Sequence, residues 1–291
     1  MPSKHAVSSP YPPFAVAGGR LEVHQVPVLV DNFTWLLVDP RNHQAAAIDG
    51  AVLEPVQAYL DAKRLHLTTI FTTHTHWDHI GLHQQLDKRG LLAGVRVIGN
   101  RELADAIPGL DHPLGQGVDE GDTVEFAGVQ AQVMRTEGHM NGHLSYVFPD
   151  VLFCGDTLFA GGCGYLFDGP AEAMHASLQR LAALDPQTRV CCAHEYTQDN
   201  LRFAWSVEPD NPALADRIRR VWALRERGES SVPSTIADEL ATNPFLRGDE
   251  PGLRARVHAA MADEPMDTPA QVFAATRKLK DAKVYKSMTD A

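Results

Sequence analysis

The run Phe71-Thr-Thr-His-Thr-His-Trp-Asp-His-Ile80 constrains this chain more than any other part of it. It places His74, His76, Asp78 and His79 directly after the β-branched stretch Leu67–Thr73. An extended chain sends alternate side chains to one side, so His74 and His76 face the same way. Asp78 and His79 follow in a turn that leads into a helical pattern over Leu82–Leu92. Three imidazoles and a carboxylate this close suit borderline metals such as zinc, iron or manganese. A chance cluster on a solvated loop is the competing reading.

Three later segments carry further donors at strand ends: His139 in Thr136-Glu-Gly-His-Met-Asn-Gly-His143, Asp156 in Phe153-Cys-Gly-Asp-Thr157, and His194 in Cys191-Cys-Ala-His-Glu195. Each is weak alone. A single histidine there is commonly a hydrogen-bonded surface residue, and Asp156 alone suits a helix cap. In open α/β sheets, however, ligands gather at strand ends, so the repetition carries weight. Seven donors serve two metals that share a bridging Asp and a bridging hydroxide, with three further groups each.

The rest of the chain supplies a scaffold. Leu21–Val26, Thr34–Val38 and Ala45–Ile48 are short apolar runs separated by the turn residues Asp31-Asn32 and Asp39-Pro40. Leu53–Leu65 has a helical period, Val95–Ile98 reads as strand, and Asp122–Arg135 and His143–Phe153 read as hairpins. Ala171–Leu184 is an amphipathic helix, followed by the strand Arg189–Ala193. Beyond Thr197 strand signals vanish, and helical segments such as Pro212–Arg227 and Ala270–Lys283 take over. Two domains are expected, residues 1–196 and a helical 197–291.

A net charge of −11 argues against a nucleic-acid track, which needs clustered positive charge. No apolar run approaches the roughly 18 residues that span a bilayer, and Met1 to Gly19 has no apolar core of a secretory leader. The four cysteines, Cys154, Cys163, Cys191 and Cys192, sit in apolar stretches and suit small buried side chains in a reducing cytosol. A cytoplasmic protein without nucleic-acid or membrane partners is expected. Trp77, Cys191 and Cys192 read as packing residues, and His143 either supports a ligand or is capped by backbone.

His-x-His-x-Asp-His with a downstream His, Asp and His resembles the metallo-β-lactamase superfamily. Gly155-Asp-Thr-Leu-Phe159, Ala193-His-Glu-Tyr-Thr197, Gly162–Gly164, Asn243–Arg247 and Arg277–Asp281 resemble its glyoxalase II branch, the hydroxyacylglutathione hydrolases. The resemblance implies an α/β fold, an αβ/βα sandwich, with a C-terminal helical domain that binds substrate. It implies that His74, His76 and His139 hold one divalent metal, that Asp78, His79 and His194 hold the other, and that Asp156 bridges them. Zinc is expected foremost, with iron or manganese also suited. The implied reaction is hydrolysis of S-D-lactoylglutathione to D-lactate and glutathione in methylglyoxal detoxification. A metal-bridging hydroxide, held by Asp78 and Asp156 among others, would attack the thioester carbonyl.

Tyr196 matches a tyrosine that meets glutathione, and Arg277 and Lys280 match a basic pair that grips its glycine carboxylate. Where the family usually has Lys or Arg after Cys163-Gly164, this chain has Tyr165, and Phe167 lacks the hydroxyl that some relatives carry two positions on. One cationic contact to glutathione is thereby absent. Arg277 and Lys280 lie three apart and share a helix face, a spacing that clamps a carboxylate or, in the plainer reading, complements the helix dipole. Thioester chemistry suits the donor set: the expelled thiol has a pKa of about 8.5, so its thiolate departs without an acid. The alternatives are a glutathione persulfide dioxygenase with one iron and another hydrolase of the same fold, such as a phosphodiesterase.

Overall fold

Strands β1 (Phe14–Val16), β2 (Leu21–Val28), β3 (Asn32–Asp39), β4 (Gln44–Ile48), β5 (His66–Phe71), β6 (Arg96–Asn100) and β7 (Gln116–Val118) pair in that order into one sheet. The computed structural model describes residues 5–287; the outermost residues of the two expected domains, 1–4 and 288–291, and the start of the segment weighed as a leader lie outside them. β1 to β4 are antiparallel, and β4 to β7 are parallel. Parallel neighbours require crossovers, and α1 (Leu53–Lys63) and α2 (Trp77–Lys88) supply two of them.

The second sheet has the order β15-β14-β11-β10-β9-β8. It begins with two hairpins, β8 (Thr123–Phe126) with β9 (Val129–Arg135) and β10 (Leu144–Phe148) with β11 (Val151–Phe153). A separate small hairpin, β12 (Leu158–Phe159) and β13 (Gly162–Cys163), precedes α3 (Ala171–Ala182). β14 (Arg189–Cys191) then joins β11 in parallel, and β15 (Ser234–Thr235) closes the far edge antiparallel to β14. The remaining helices are α4 (Thr197–Val207), α5 (Pro212–Glu226), α6 (Ile236–Thr242), α7 (Pro251–Ala260) and α8 (Pro269–Asp281).

The two sheets face each other across one apolar layer that includes Trp35, Phe71, Tyr146, Phe148 and Phe153. Burying one such side chain contributes roughly 1.5–3 kcal/mol. α1 and α2 cover the outer face of the first sheet through Val56, Leu60, Leu82 and Leu86. α3 covers the second sheet through Met174, Leu178 and Leu181. β3 is therefore buried at every residue, whereas β8 alternates between exposed and buried. This is the expected αβ/βα sandwich with a helical C-terminal part, and no helix among the described residues is long and apolar enough to cross a membrane.

Two expectations need correction. α2 begins at Trp77, so Asp78 and His79 occupy its first turn instead of a preceding loop. The helical pattern was legible only from Leu82 because the first turn is built from polar donors. Strands also do not end at Thr197: β15 contributes two residues to the second sheet, bonded to Arg189 and Val190. So short a strand carries no alternation by which to recognise it.

Candidate metal centre

Backbone and side-chain bonds stitch the two sheets together along the edge where the donors lie. Leu144 N–H donates to the Thr73 carbonyl at 2.8 Å, and Phe33 N–H donates to the Ala193 carbonyl at 2.7 Å. Below them, the Tyr146 hydroxyl donates to the Thr72 carbonyl and the Trp35 indole to the Cys192 carbonyl. Donors that leave β5, β9, β11 and β14 therefore arrive at one place.

His74 Nε2 and His139 Nε2 each lie 3.0 Å from His76 Nδ1. Asp78, His79 and His194 form a second convergent group, with Asp78 Oδ2 3.8 Å from His79 Nε2 and 3.5 Å from His194 Nε2. Asp156 stands between the groups. Its Oδ2 faces His139 Nε2 at 3.5 Å, while Oδ1 faces His79 Nε2 at 3.5 Å and His194 Nε2 at 3.4 Å. All seven side chains expected as ligands thus meet in one cluster.

The opposite ring nitrogens are held from behind. His79 Nδ1 donates to Asp49 Oδ2 at 2.9 Å, His194 Nδ1 to Asp31 Oδ1 at 3.1 Å, and His139 Nδ1 to the Tyr165 carbonyl at 2.8 Å. His74 Nδ1 reaches Thr73 Oγ1, which itself donates to Asp49. Such bonds fix ring orientation and turn Nε2 toward the cluster. Asp78 Oδ2 accepts from Asn32 at 2.8 Å. Asp49 has φ +56°, a left-handed backbone that turns its carboxylate beneath Thr73 and His79. Asp31, Asn32 and Asp49 escape the sequence because they read as ordinary turn residues between strands; an acid directly after the apolar run Ala45–Ile48 was the one available signal.

His79 Nε2 and Asp156 Oδ1 are buried without a hydrogen-bond partner among the described residues. Burial disfavours charge at His79, yet the Asp156 and Asp49 carboxylates outweigh it and push this imidazole well above its ordinary range. At His194 burial is likewise overcome by Asp156, and the pKa rises to about 9. Asp156 is held well below the usual carboxylate range, against its own burial, by His194 and His79. Burial, reinforced by neighbouring imidazoles, drives His74 and His143 well below theirs. The Asp156 and Asp49 carboxylates thus draw positive charge towards His79 and His194, and imidazole with carboxylate is a donor set for divalent cations.

His143 supports this arrangement: its ring stacks on His74 at 4.8 Å and its Nε2 accepts from the Asp156 N–H at 3.3 Å. The cysteines are all free and buried, as expected. Trp77 is not a packing residue, for the first turn of α2 leaves it 68% exposed.

A cleft of about 330 Å³ adjoins the cluster, and its lining includes Tyr165, Tyr196, Arg277 and Lys280. Tyr196 stacks on His194 at 4.7 Å with the rings 9° from parallel. α8 turns Arg277 and Lys280 inward, where Arg277 donates to the Cys163 carbonyl at 3.2 Å and Lys280 donates to Asn200. Burial, with Arg277 beside it, lowers the Lys280 pKa to about 7. Phe167 is 62% exposed and meets His76 and His139 edge-on, at 5.1 and 5.2 Å.

Residues 23–194 match the model of the metallo-β-lactamase superfamily, and residues 195–283 match the hydroxyacylglutathione hydrolase C-terminus. Among solved structures, ETHE1 from Myxococcus xanthus superposes with a TM-score of 0.57 at 24% identity, covering 89% of this chain and 98% of its own. The BLEG-1 B3 metallo-β-lactamase superposes with a TM-score of 0.54 at 20% identity, covering 77% of this chain and 99% of its own. Fold and donor cluster together define a member of the metallo-β-lactamase superfamily. Within it, this chain belongs to the hydroxyacylglutathione hydrolase family. The Methylococcus capsulatus hydroxyacylglutathione hydrolase is 44% identical over 90% of this chain and 98% of its own length. One from a Synechococcus strain is 47% identical over 90% and 99%.

Proposed function

We propose that this protein hydrolyses 2-hydroxyacylglutathione thioesters, S-D-lactoylglutathione foremost, to the hydroxy acid and glutathione. The observation that carries the reading is Asp156, whose two oxygens face two separate histidine groups beside a cleft floored by Arg277 and Lys280. His74, His76 and His139 would hold one divalent cation and Asp78, His79 and His194 the other, with Asp156 within reach of either; zinc suits the set. Bound there, the cations would supply Lewis acidity for the thioester carbonyl and would lower the pKa of water towards about 7.

The chain's own residues do the rest. Asp49, Asp31 and the Tyr165 carbonyl keep the Nδ1 protons of His79, His194 and His139 turned away from the reacting atoms. Arg277 and Lys280 clamp the glycine carboxylate of glutathione, a local positive site in a chain of net charge −11. Tyr196 walls the path between that clamp and His194. Hydrolysis breaks the C–S bond, and the thiolate needs no acid from the chain to leave. Tyr165 lines the cleft where a cation is usual, so glutathione is held by fewer charges here.

We place the division between a catalytic domain and a substrate-binding domain at residues 196 and 197. β15 returns to the catalytic sheet from the second of them, which ties the clamp to the metal site. The deciding experiment is loss of thioester absorbance from S-D-lactoylglutathione on protein assayed for metal in the same batch. Turnover with close to two cations per chain is expected. One iron per chain, with oxygen consumed on glutathione persulfide, would replace the hydrolase by a dioxygenase.

A further inference from the structure

Residues 5–13 precede both segments matched by the family models, which begin at residues 23 and 195. They are nevertheless built into the molecule. Ser8 and Ser9 N–H groups donate to the Gly228 carbonyl at 3.0 and 3.1 Å, and Ser230 N–H donates back to the Ser9 carbonyl at 3.0 Å. Arg225 holds the Ala6 carbonyl at 2.6 Å, and Tyr11 N–H donates to Gln25 Oε1 at 2.8 Å. This arm runs from the edge of the first sheet across the turn after α5 and ends at the substrate cleft.

His5 is what it delivers there. The imidazole lines the same cleft as Tyr165, Arg277 and Lys280. Its Nδ1 donates to the Glu195 carbonyl at 2.9 Å, which fixes the ring plane. The ring meets Tyr196 edge-on at 5.6 Å, and Tyr196 in turn stacks on His194. His5 is thus one ring, that of Tyr196, removed from His194 at the reacting end. A ligand whose carboxylate lies on Arg277 and whose thioester lies at His194 occupies the cleft that His5 lines. The stretch of such a ligand between those points is peptide, with carbonyl and amide groups that an oriented imidazole bonds well.

We propose that the N-terminal arm completes the substrate cleft and that His5 is a specificity-determining residue that recognises the peptide portion of the thiol. The inference rests on the thioesterase reading above. A small thioester without that peptide gains nothing from His5, so two substrates separate the contact from general effects on the site.

The test compares S-D-lactoylglutathione with S-D-lactoyl-N-acetylcysteamine on wild type, His5→Ala, His5→Phe and a chain lacking its first ten residues. Loss of one hydrogen bond raises KM by about three- to tenfold. That rise is expected with the glutathione thioester for His5→Ala and for the truncated chain, with kcat and metal content held. His5→Phe keeps the ring against Tyr196 and should still show the higher KM. KM for the N-acetylcysteamine thioester should not move. An unchanged KM for glutathione thioester in His5→Ala and the truncated chain would overturn the proposal, as would an equal rise for both thioesters. Absence of turnover by the wild type would instead overturn the thioesterase reading on which it rests.

Discussion

Lys280 carries its ammonium into a buried cleft, and its chemistry follows from that placement. In the unfolded chain its pKa is near 10.5, and in the folded one burial and Arg277 bring it to about 7. Between those values the unfolded state binds the extra proton, so this residue's destabilising contribution is full below pH 7 and fades as pH approaches 10.5. A carboxylate ligand needs the charged form, so KM for S-D-lactoylglutathione should climb as pH rises through 7, and a Lys280→Arg variant should flatten that climb. Lys280→Ala should raise KM far more than it lowers kcat; equal losses in kcat and kcat/KM would place the residue in the chemistry instead. Tyr165→Arg should lower KM by restoring a cation to the cleft, which steady-state kinetics would read directly. Asp49→Ala removes the carboxylate behind His79 and Thr73, and cation affinity should fall about 10- to 100-fold by competition with a chelator. The convergence of the donor residues was legible in sequence because imidazole and carboxylate recur at several strand ends, where each of the later three is weak alone. Their supports, Asp31, Asn32 and Asp49, were not, since a turn aspartate looks the same whether or not a histidine stands over it.

Among the elements, α2 shows how local packing sets the site. A Cβ on Gly81 would lie 2.0 Å from the Ala51 carbonyl, so only glycine lets this helix rest on the end of β4. Gly81→Ala should push the first turn outward, moving Asp78 and His79, and should lower thermal stability by about 1–3 kcal/mol or more together with cation content. Gly94→Ala, where a Cβ meets nothing within 4 Å, is the matched control and should change neither. Most element positions followed from apolar periodicity, as in β2, β3, α1, α3 and both long hairpins. The pattern failed where residues serve the site, at the start of α2, and where an element is too short to alternate, as in β12, β13 and β15.

Across the whole molecule, the cluster draws donors from both sheets: His74, His76, Asp78 and His79 follow β5, whereas His139, Asp156 and His194 follow β9, β11 and β14. Cations held there bind the folded state and not the separated sheets, so chelation should lower the melting temperature, on the order of 5 °C or more, and zinc should restore it. Scanning calorimetry with and without chelator checks this; an unmoved transition would mean the sheets hold together without help. The sandwich itself was readable from the family pattern, but the stitching bonds between Thr73 and Leu144 and between Phe33 and Ala193 depend on three-dimensional register that periodicity does not encode.

The spread of those donors along the chain also orders events during synthesis. A ribosome that has released residue 138 has produced four of the donors, His74, His76, Asp78 and His79, yet neither group of three is complete. The first closes only with His139 and the second only with His194, after which α4 and the cleft-forming helices have still to emerge. Cation loading of the second position therefore waits until at least 194 of the 291 residues have been made, and it draws on whatever ions the surroundings hold at that moment.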